Sequence, residues 1–485
     1  MAPKKKKNNK EKQETVKVNR NVSKCCTCKV SLLVASVIAV LIGLASYQVY
    51  ACVTSVPELP QLDLNQWWGP NTTKPQDTSI RPYRVLFTDA MQEGMRWLFD
   101  SYRRRPTVKS LTESWDYGVQ YNDFAQLFSF WQFKYPFRER VRYLNKYDHF
   151  KTRIQGLDIH FVHVKPKVEK NIKVFPILLL HGWPSTFRDF FEVIPVLTTL
   201  QPGYDFVFEV IVPSLPGYIY SQASTKRGMS TPEIAVLMKN LMNRIGHDKF
   251  YIHCGDIGYA IGSNMATIFP DQVLGLHTNF PVNLSKMGQL FGIFESVWSN
   301  IIGGETSGKV YSLSEKMEVF LKETGPLHML TTKPDTIGYI MQDSPVGLAA
   351  YLFDRYKSFT NSSIKEPPEG GLESISNTDI LDNIMLYWLT GSTTTAMRLH
   401  KQIIENSEKE QILARIPTPV PTWGLRAKYE LIHHPDWLLR WKYPNLLGTT
   451  NLDCGGHLAA LEIPKELAQD IFKAVKSFTE FYKKQ

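Results

Sequence analysis

Short apolar runs that alternate with amphipathic stretches limit this chain to a small set of folds. One amphipathic stretch, Thr231–Ile245, places its apolar residues three and four positions apart, as on one face of a helix. Strand-length runs that alternate with helices predict a mostly parallel sheet covered by helices. At 43% hydrophobic residues the chain can fill a large core. The strand-like runs are 157–164, 174–180, 205–212, 249–254, 273–280, 420–423 and 446–452.

The remaining segments are organised around this pattern. Residues 51–155 are rich in Pro and Trp and are predicted to wrap around the core as an N-terminal meander. Residues 156–284 and 416–485 are predicted to be the two halves of the α/β core. Between them the strand signal disappears, so we expect residues 285–415 to form a helical lid inserted over the sheet.

The first 50 residues differ from the rest in charge and hydropathy. Residues 1–29 hold ten Lys and Arg but only Glu11 and Glu14, which leaves +8 of the chain's +10. The other residues are nearly balanced in charge, which argues against a nucleic-acid-binding face. Residues 30–50 carry no charge and, at ~1.5 Å per residue, are long enough to cross a bilayer. They are predicted to be a single transmembrane anchor in contact with membrane lipid.

The anchor has one alternative, a cleaved signal peptide, although such peptides normally have shorter basic and apolar regions. The basic residues before the run predict a cytoplasmic N-terminus and a lumenal main domain. Three Asn-X-Ser/Thr sequences, at Asn71, Asn283 and Asn361, are compatible with the lumenal side.

The stretch from Tyr251 to Gly258 carries the main chemical signal. An apolar run ends at Asp256, with Gly255 before it, Gly258 shortly after it and a helix-like segment following. Small residues there permit a sharp strand-to-helix turn that lifts its central side chain out of the sheet. Asp256 is therefore a candidate nucleophile that attacks carbon to form an ester. The alternative is that Asp256 only caps the following helix.

Two more residues complete the chain order nucleophile, acid, histidine. Glu430 follows the strand-like run 420–423, and His457 lies in a glycine-containing loop that leads into a helix. His457 is the candidate general base that deprotonates the water that cleaves the ester. Glu430 is the candidate acid that orients the imidazole and stabilises its charged form.

The sequence His-Gly-Trp-Pro at residues 181–184 follows another strand-like run. Loops in this position donate a backbone N–H to an oxyanion, and the residue after the nucleophile donates a second. We therefore expect the N–H groups of Trp183 and Ile257 to form an oxyanion hole. No set of ligands with suitable spacing predicts a metal site, and the pair His433 and His434 is expected at the surface.

Seven motifs together resemble those of the microsomal-type epoxide hydrolases, which include the insect juvenile hormone epoxide hydrolases and have the α/β-hydrolase fold. The resemblance runs from about Trp67 to the C-terminus. The motifs are WWGP at 67–70, HFKTRIQG at 149–156, HGWP at 181–184, PSLPGY at 213–218, KPDT at 333–336, DSPVGLAAY at 343–351 and GGHLAA at 455–460.

The resemblance implies a cofactor-free enzyme, held in the endoplasmic reticulum membrane, that converts a small hydrophobic epoxide to a vicinal diol. Xenobiotic oxides and juvenile-hormone-like esters are the substrate classes that it implies. Asp256, Glu430 and His457 match the family's triad. The family faces the cytosol, which conflicts with the lumenal side that the basic tail predicts. The sequence makes no prediction of the oligomeric state.

Two departures from the family pattern concern the opening of the ring. The family uses two lid tyrosines as proton donors, and the matching positions here hold Pro326 and His400. His400 is a possible replacement donor, and so in principle are the hydroxyls of Tyr339, Tyr351 and Tyr387. The alternative function is a catalytically impaired or silent lipid-binding protein that retains the pocket but lacks both tyrosines.

Overall fold

The computed structural model describes residues 55–71, 77–104, 107–112, 114–293, 313–360 and 375–484, together with parts of 33–50. The chain divides into two units, Met1–Pro57 and Glu58–Gln485. The basic tail predicted at residues 1–29 lies outside the described residues.

The predicted membrane anchor is not supported. Among the described residues, no helix is both long enough and apolar enough to span a bilayer. The described residues leave out six positions of the predicted range 30–50, namely 30–32, 35, 45 and 49.

A sheet of nine strands, in the order β1-β2-β3-β5-β4-β6-β7-β8-β9, forms the centre of the larger unit. The pairs from β5 through β4 to β9 are parallel, whereas β1, β2, β3 and β5 pair antiparallel. The predicted mostly parallel sheet is therefore confirmed. The strands are β1 Arg81–Tyr83, β2 His149–Ile154, β3 Leu157–Val164, β4 Lys173–Leu180, β5 Phe206–Pro213, β6 Phe250–Cys254, β7 Val273–Thr278, β8 Thr422–Arg426 and β9 Leu446–Asn451.

Helices pack against this sheet. Those before β6 are α1 Asp89–Arg103, α2 Tyr121–Phe133, α3 Phe137–Leu144, α4 Ile194–Leu197 and α5 Thr231–Ile245, with a 3₁₀ helix at Phe187–Glu192. Those after β6 are α6 Asp256–Ile268, α7 Leu313–Glu323, α8 Gly325–Thr332, α9 Pro334–Asp343, α10 Pro345–Thr360, α11 Asn377–Thr390, α12 Thr393–Glu405, α13 Ser407–Arg415, α14 Asp436–Leu439, α15 Ala459–Glu462 and α16 Pro464–Lys483.

Helix α5 has the bounds that its apolar spacing predicts, and local signals explain both ends. At its start Ser230 and Glu233 form a capping box, and Pro232 lies in the first turn. It ends at Gly246, whose φ of 104° is a left-handed conformation that suits glycine. The first half of α5, from Thr231 to Met238, is buried at every position.

The N-terminal segment is tied to the core through backbone contacts. The N–H of Trp68 donates to the carbonyl of Gln155 at 2.9 Å, and the N–H of Thr225 donates to the carbonyl of Trp68 at 3.0 Å. Gly156, with φ of 85°, lies against the Trp67 ring, where a Cβ would approach the ring to 2.5 Å. Helices α7 to α13 lie in the chain between β7 and β8, the position predicted for the lid.

A buried carboxylate joins three parts of this architecture. Asp382 on α11 is fully buried and accepts a hydrogen bond from the Tyr135 hydroxyl at 2.7 Å. The guanidinium of Arg140 on α3 donates to its Oδ1 at 3.0 Å, and that of Arg188 on the 3₁₀ helix donates to its Oδ2 at 3.0 Å. Asp382 therefore connects α11 to the N-terminal segment and to the loop region after β4.

Candidate active site

Asp256 stands at a sharp turn between β6 and α6. Its φ is 51°, in the left-handed region that non-glycine residues rarely occupy. Gly258 permits the tight approach that this turn requires, because a Cβ there would lie 2.5 Å from the carbonyl oxygen of Leu180. Asp256 is the first residue of α6, not its N-cap, so its raised side chain is not explained by helix capping.

Asp256, His457 and Glu430, which are far apart in sequence, come together. His457 Nε2 lies 3.2 Å from Asp256 Oδ2, and His457 Nδ1 lies 2.8 Å from Glu430 Oε1. Glu430 and His457 are buried, and the Asp256 side chain is 30% exposed. The three residues that the chain order identified therefore form one continuous series of contacts, with His457 between Asp256 and Glu430.

Backbone pairing brings the two loops of Glu430 and His457 to the same place. Tyr429 bridges to Gly456, and its N–H donates to the carbonyl of Gly455 at 2.9 Å. The N–H of His457 donates to the carbonyl of Phe359, at the end of α10, at 2.9 Å. The helical region therefore helps to hold the histidine in position.

The charges of the triad depend on one another. Burial raises the pKa of the Asp256 carboxyl, but His457 and the N–H groups of Trp183 and Ile257 outweigh it, so the pKa is lowered. Burial lowers the pKa of His457, but Glu430 and Asp256 outweigh it and hold the pKa well above its usual value. The site therefore favours an ionised Asp256 beside a charged His457.

The predicted oxyanion donors lie beside Asp256. The N–H of Trp183 donates to Asp256 Oδ1 at 2.7 Å, and the N–H of Ile257 also stabilises the carboxylate. The Trp183–Pro184 peptide bond is cis. His181 has a supporting role, because its Nε2 accepts the N–H of Leu215 at 3.1 Å.

His400 and Pro326 have different surroundings. His400 on α12 is buried, and its ring centroid lies 6.0 Å from that of Trp183 at 86°. Its Nδ1 lies 3.3 Å from the carbonyl of Met397. Burial lowers the pKa of His400, and the charge of Asp256 opposes this shift. Pro326 lies half-buried in the first turn of α8 and has no side-chain donor.

The three tyrosines considered as replacement donors differ in availability. Tyr339 is 77% exposed, and the hydroxyl of Tyr387 already donates to the carbonyl of Ser185 at 2.9 Å. The hydroxyl of Tyr351 is buried and has no hydrogen-bond partner in the part of the chain that the structure describes. Burial raises the pKa of Tyr351 to about 12, and the charge of Arg355 opposes this shift.

Several residues near the site were not identified from the sequence. Asp189 on the 3₁₀ helix and His253 on β6 line a small cavity with Asp256 and His457. Asp189 lies outside the motifs identified in the sequence, and His253 lies within the stretch from Tyr251 to Gly258 but was given no role there. Glu462 is a third, because its carboxylate accepts the N–H of Leu458, beside His457, at 3.2 Å.

The burial of two histidines corrects a prediction, and two other histidines belong to a group of possible metal ligands. His433 and His434 are buried, not at the surface as predicted, and His434 Nδ1 accepts the N–H of Asn283 at 3.0 Å. Among the described residues, His163, Glu209 and His247 place possible metal-ligand atoms within 4.8 Å of one another. Two of the three are already hydrogen-bonded, because His163 Nε2 lies 2.6 Å from Glu209 Oε1.

Comparisons with known proteins agree with this geometry. The family description "Epoxide hydrolase N terminus" matches residues 80–190, and "alpha/beta hydrolase fold" matches residues 176–317. The chain is 42% identical to the juvenile hormone epoxide hydrolase of Manduca sexta, over 88% of this chain and 93% of that protein. It is 37% identical to epoxide hydrolase 1 of Oryctolagus cuniculus, over 84% of this chain and 92% of that protein.

A solved structure extends the agreement to the fold. The crystal structure of the juvenile hormone epoxide hydrolase from Bombyx mori has a TM-score of 0.83 and 39% sequence identity, covering 87% of this chain and 100% of that one. The α/β-hydrolase fold and the resemblance expected from the motifs are thereby confirmed. This chain therefore belongs to the epoxide hydrolase family of hydrolases.

Proposed function

We propose that this protein hydrolyses hydrophobic epoxides to vicinal diols through a covalent ester on Asp256. The observation that carries the proposal is the different environment of the two Asp256 oxygens. Oδ1 accepts the N–H of Trp183, whereas Oδ2 faces His457. One oxygen is thus held in an oxyanion hole and the other is available for attack.

In the first step, Asp256 Oδ2 attacks a ring carbon of the epoxide. The bond between that carbon and the ring oxygen breaks, and the oxygen takes up the electron pair and then a proton. The lowered pKa of Asp256 keeps the nucleophile ionised. General-acid help at the ring oxygen is typically worth ~10² to 10⁴ in rate, so the identity of the donor determines whether the step is useful.

We assign the donor role to His400. It lies against Trp183, and its Nδ1 is directed to the carbonyl of Met397. In the neutral ring an Nδ1–H donated to this carbonyl leaves Nε2 without a proton. Only the imidazolium form then donates through Nε2, and burial lowers the pKa of His400. Ring opening should therefore be favoured at acidic pH.

In the second step, esterification changes the state of His457. The negative charge of Asp256 is one of the causes that raise the His457 pKa, and the ester removes it. The His457 pKa then falls, the imidazolium releases its proton to solvent, and the neutral imidazole can accept a proton from the attacking water. The water oxygen bonds to Asp256 Cγ, charge develops on Oδ1, and the Cγ–Oδ2 bond breaks to release the diol.

The proposed substrates are juvenile-hormone-like epoxide esters and xenobiotic oxides. Relatives at 40–42% identity are named juvenile hormone epoxide hydrolases, which supports the first class. The buried aromatic rings around Trp183 support an apolar ligand. The mechanism uses only the side chains and backbone described above and needs no cofactor.

We also propose that the protein is held at the endoplasmic reticulum membrane and contacts membrane lipid there. The uncharged run at residues 30–50, beside the basic tail, supports this location. Recovery of the full chain in the membrane fraction after alkaline carbonate washing is the expected result. Release into the supernatant would contradict it, and glycosidase sensitivity of the recovered protein would report the lumenal side.

The first test is intact-protein mass spectrometry after brief mixing with a reactive aryl epoxide. Wild-type protein should gain the mass of one epoxide and lose it with time, as diol appears. Asp256→Ala should gain no mass, and an exposed control, Glu139→Gln, should behave as the wild type. An adduct that forms equally in Asp256→Ala would contradict the proposed nucleophile.

The alternative is a silent lipid-binding protein, and Pro326 and His400 favour it because neither supplies a tyrosine hydroxyl. Saturable binding of an apolar epoxide, with neither adduct nor diol, would support this function. Diol formation above the Asp256→Ala level would exclude it.

A further inference from the structure

Three side chains from three separate elements meet at a place that the proposed reaction does not use. His163 lies on β3, Glu209 on β5 and His247 directly after α5. Their possible ligand atoms all lie within 4.8 Å of one another. The three side chains are largely buried, with exposed fractions of 11%, 16% and 18%. We refer to them as the His-Glu-His cluster.

The pairing of the strands brings the first two members of the cluster together. Strands β3 and β5 are antiparallel, and His163 lies opposite Ile211. Glu209 is two residues before Ile211 on β5, so its side chain points to the same face of the sheet as that of His163. Diagonal neighbours of this kind are within reach of long side chains. His163 Nε2 accordingly lies 2.6 Å from Glu209 Oε1.

The end of α5 holds the third member in place. Gly246 ends the helix in a left-handed conformation, and the N–H of His247 donates to the carbonyl of Met242 at 2.9 Å. The His247 ring is directed at Glu209, with its Nε2 3.2 Å from Oε1. This nitrogen is buried, yet it is not aligned in a hydrogen bond with any described residue.

A shared metal ion would explain the unpaired nitrogen. Buried polar atoms are ordinarily hydrogen-bonded, and an exception requires a reason such as an ion. Metal ligands direct their lone pairs at a common point and not at one another. His247 Nε2, which is close to the Glu209 carboxylate but not aligned with it, has the position of such a ligand.

The donor set and its spacing suit zinc. Two imidazoles and one carboxylate form a known type of three-ligand zinc site, in which solvent takes the fourth position. Ligand atoms at about 2.0 to 2.1 Å from a tetrahedral ion are about 3.3 Å apart. The distance of 3.2 Å between His247 and Glu209 already fits. The distance of 2.6 Å between His163 and Glu209 must lengthen by about 0.7 Å, which a small side-chain rotation provides.

We propose that His163, Glu209 and His247 bind a zinc ion that joins β3, β5 and the end of α5. Magnesium and calcium suit the cluster less well, because both prefer a shell made of oxygen atoms. The two histidines lower the pKa of the Glu209 carboxyl, which keeps this ligand ionised. The ammonium of Lys165 lies 3.9 Å from Glu209 Oε1, but its side chain is 73% exposed and can turn into solvent when the ion binds.

The cluster lies away from the triad, so the zinc has a structural role. Glu209 pairs with Pro176, four residues before Leu180 on β4. Leu180 in turn pairs with Cys254, two residues before Asp256. Four residues of strand span ~13 Å. The inference therefore does not rest on the proposed function, and zinc in the cluster should leave ester formation unchanged.

Zinc retention by the full chain tests the inference. The protein is prepared without a histidine tag, treated with chelator, loaded with zinc, dialysed and analysed for metal. Wild type should retain one zinc ion per chain more than Glu209→Gln or His247→Gln. The cysteines at residues 25, 26 and 28 occur in every variant, so any zinc that they hold cancels in this difference. His328→Gln, which changes an exposed histidine outside the cluster, is the matched control and should behave as the wild type.

Thermal unfolding gives a second readout and shows that each variant is folded. Saturating zinc should raise the wild-type midpoint by about 2 to 5 °C, and it should raise the midpoints of the two ligand variants by less. Equal zinc retention in wild type and in folded ligand variants would overturn the inference.

A wild-type crystal soaked in zinc removes any dependence on the folding of variants. An anomalous difference peak at the zinc edge, within about 2.3 Å of Nε2 of both histidines and of the carboxylate, supports the inference. The lack of a peak among these three side chains overturns it. Neither result changes the proposed function, which depends on ester formation at Asp256.

Discussion

At the level of single residues, the site depends on His457 having a different charge in each step. In the free protein the carboxylates of Asp256 and Glu430, on the two sides of its ring, raise its pKa. Once Asp256 is an ester, Glu430 remains as a charged partner, at 2.8 Å. The same three side chains therefore stabilise an ionised nucleophile first and supply a base afterwards.

The donor role of His400 predicts an unusual pH dependence for ring opening. Its pKa in the folded protein lies below about 6.5, the ordinary value for histidine, because burial outweighs the charge of Asp256. The imidazolium fraction therefore grows as pH falls, by about tenfold per unit until the folded pKa is reached. The rate of adduct formation, measured from pH 5 to 8, should rise toward acid.

The control for this prediction is His400→Phe, which keeps an aromatic ring against Trp183 but has no proton to give. Its rate of adduct formation should be low and nearly independent of pH over the range in which Asp256 stays ionised. A wild-type rate that is flat, or that rises toward alkaline pH, would show that His400 is not the donor.

Tyrosines at positions 326 and 400, where the chain differs from the family pattern, should remove the pH dependence of ring opening. A phenol stays protonated near neutral pH, so Pro326→Tyr combined with His400→Tyr should raise ring opening at pH 7.5 by about 10². Each single variant and the wild type are measured beside it, by adduct formation under single-turnover conditions. No gain in a folded double variant would contradict the assignment of positions 326 and 400 to proton donation.

At the level of elements, the strands of the core were predictable because each is a local pattern. Strand β3 has the predicted bounds, and β4 and β6 differ by one residue at one end. The antiparallel extension by β1 and β2 was not predicted, since its pairing depends on contacts distant in sequence. Burial of His433 and His434 was missed for the same reason.

The same distinction applies to the site. Asp256 and His457 were identifiable because each lies in a short motif, and Glu430 because it follows a strand in the expected order. Asp189 was not identified because it lies outside these motifs, and the place of His253 beside the triad depends on a cavity formed by residues distant in sequence. Only a three-dimensional arrangement reveals either feature.

The attachment of α11 to the rest of the molecule predicts a large stability effect at Asp382. Asp382→Asn removes a buried charge that pairs with Arg140 and Arg188, leaving both guanidiniums without it. Loss of one partner from a buried ion pair typically costs ~3 to 5 kcal/mol. Urea unfolding should show a loss of this size, whereas Glu139→Gln, in the exposed pair with Arg142, should change stability by less than ~1 kcal/mol.

At the level of the whole molecule, the catalytic apparatus belongs to one of the two units. The sheet, the triad and the cavity beside it all lie within Glu58–Gln485. The larger unit has its own extensive buried core, built from strands and helices between Val85 and Phe478. Folding and ester chemistry should therefore not require the basic tail or the apolar run.

Deletion of residues 1–50 separates the two proposals of chemistry and location. The shortened chain keeps Trp68 and its backbone hydrogen bonds to Gln155 and Thr225, which tie the N-terminal segment to the core. Its midpoint of thermal unfolding should therefore match that of the full chain in detergent. Ester formation and clearance should be unchanged, while the carbonate-washed membrane fraction should lose the protein. A shortened chain that folds but still sediments with membranes would place membrane binding in the larger unit instead. Its exposed aromatic residues, such as Trp97 and Trp437, would then be the next positions to substitute.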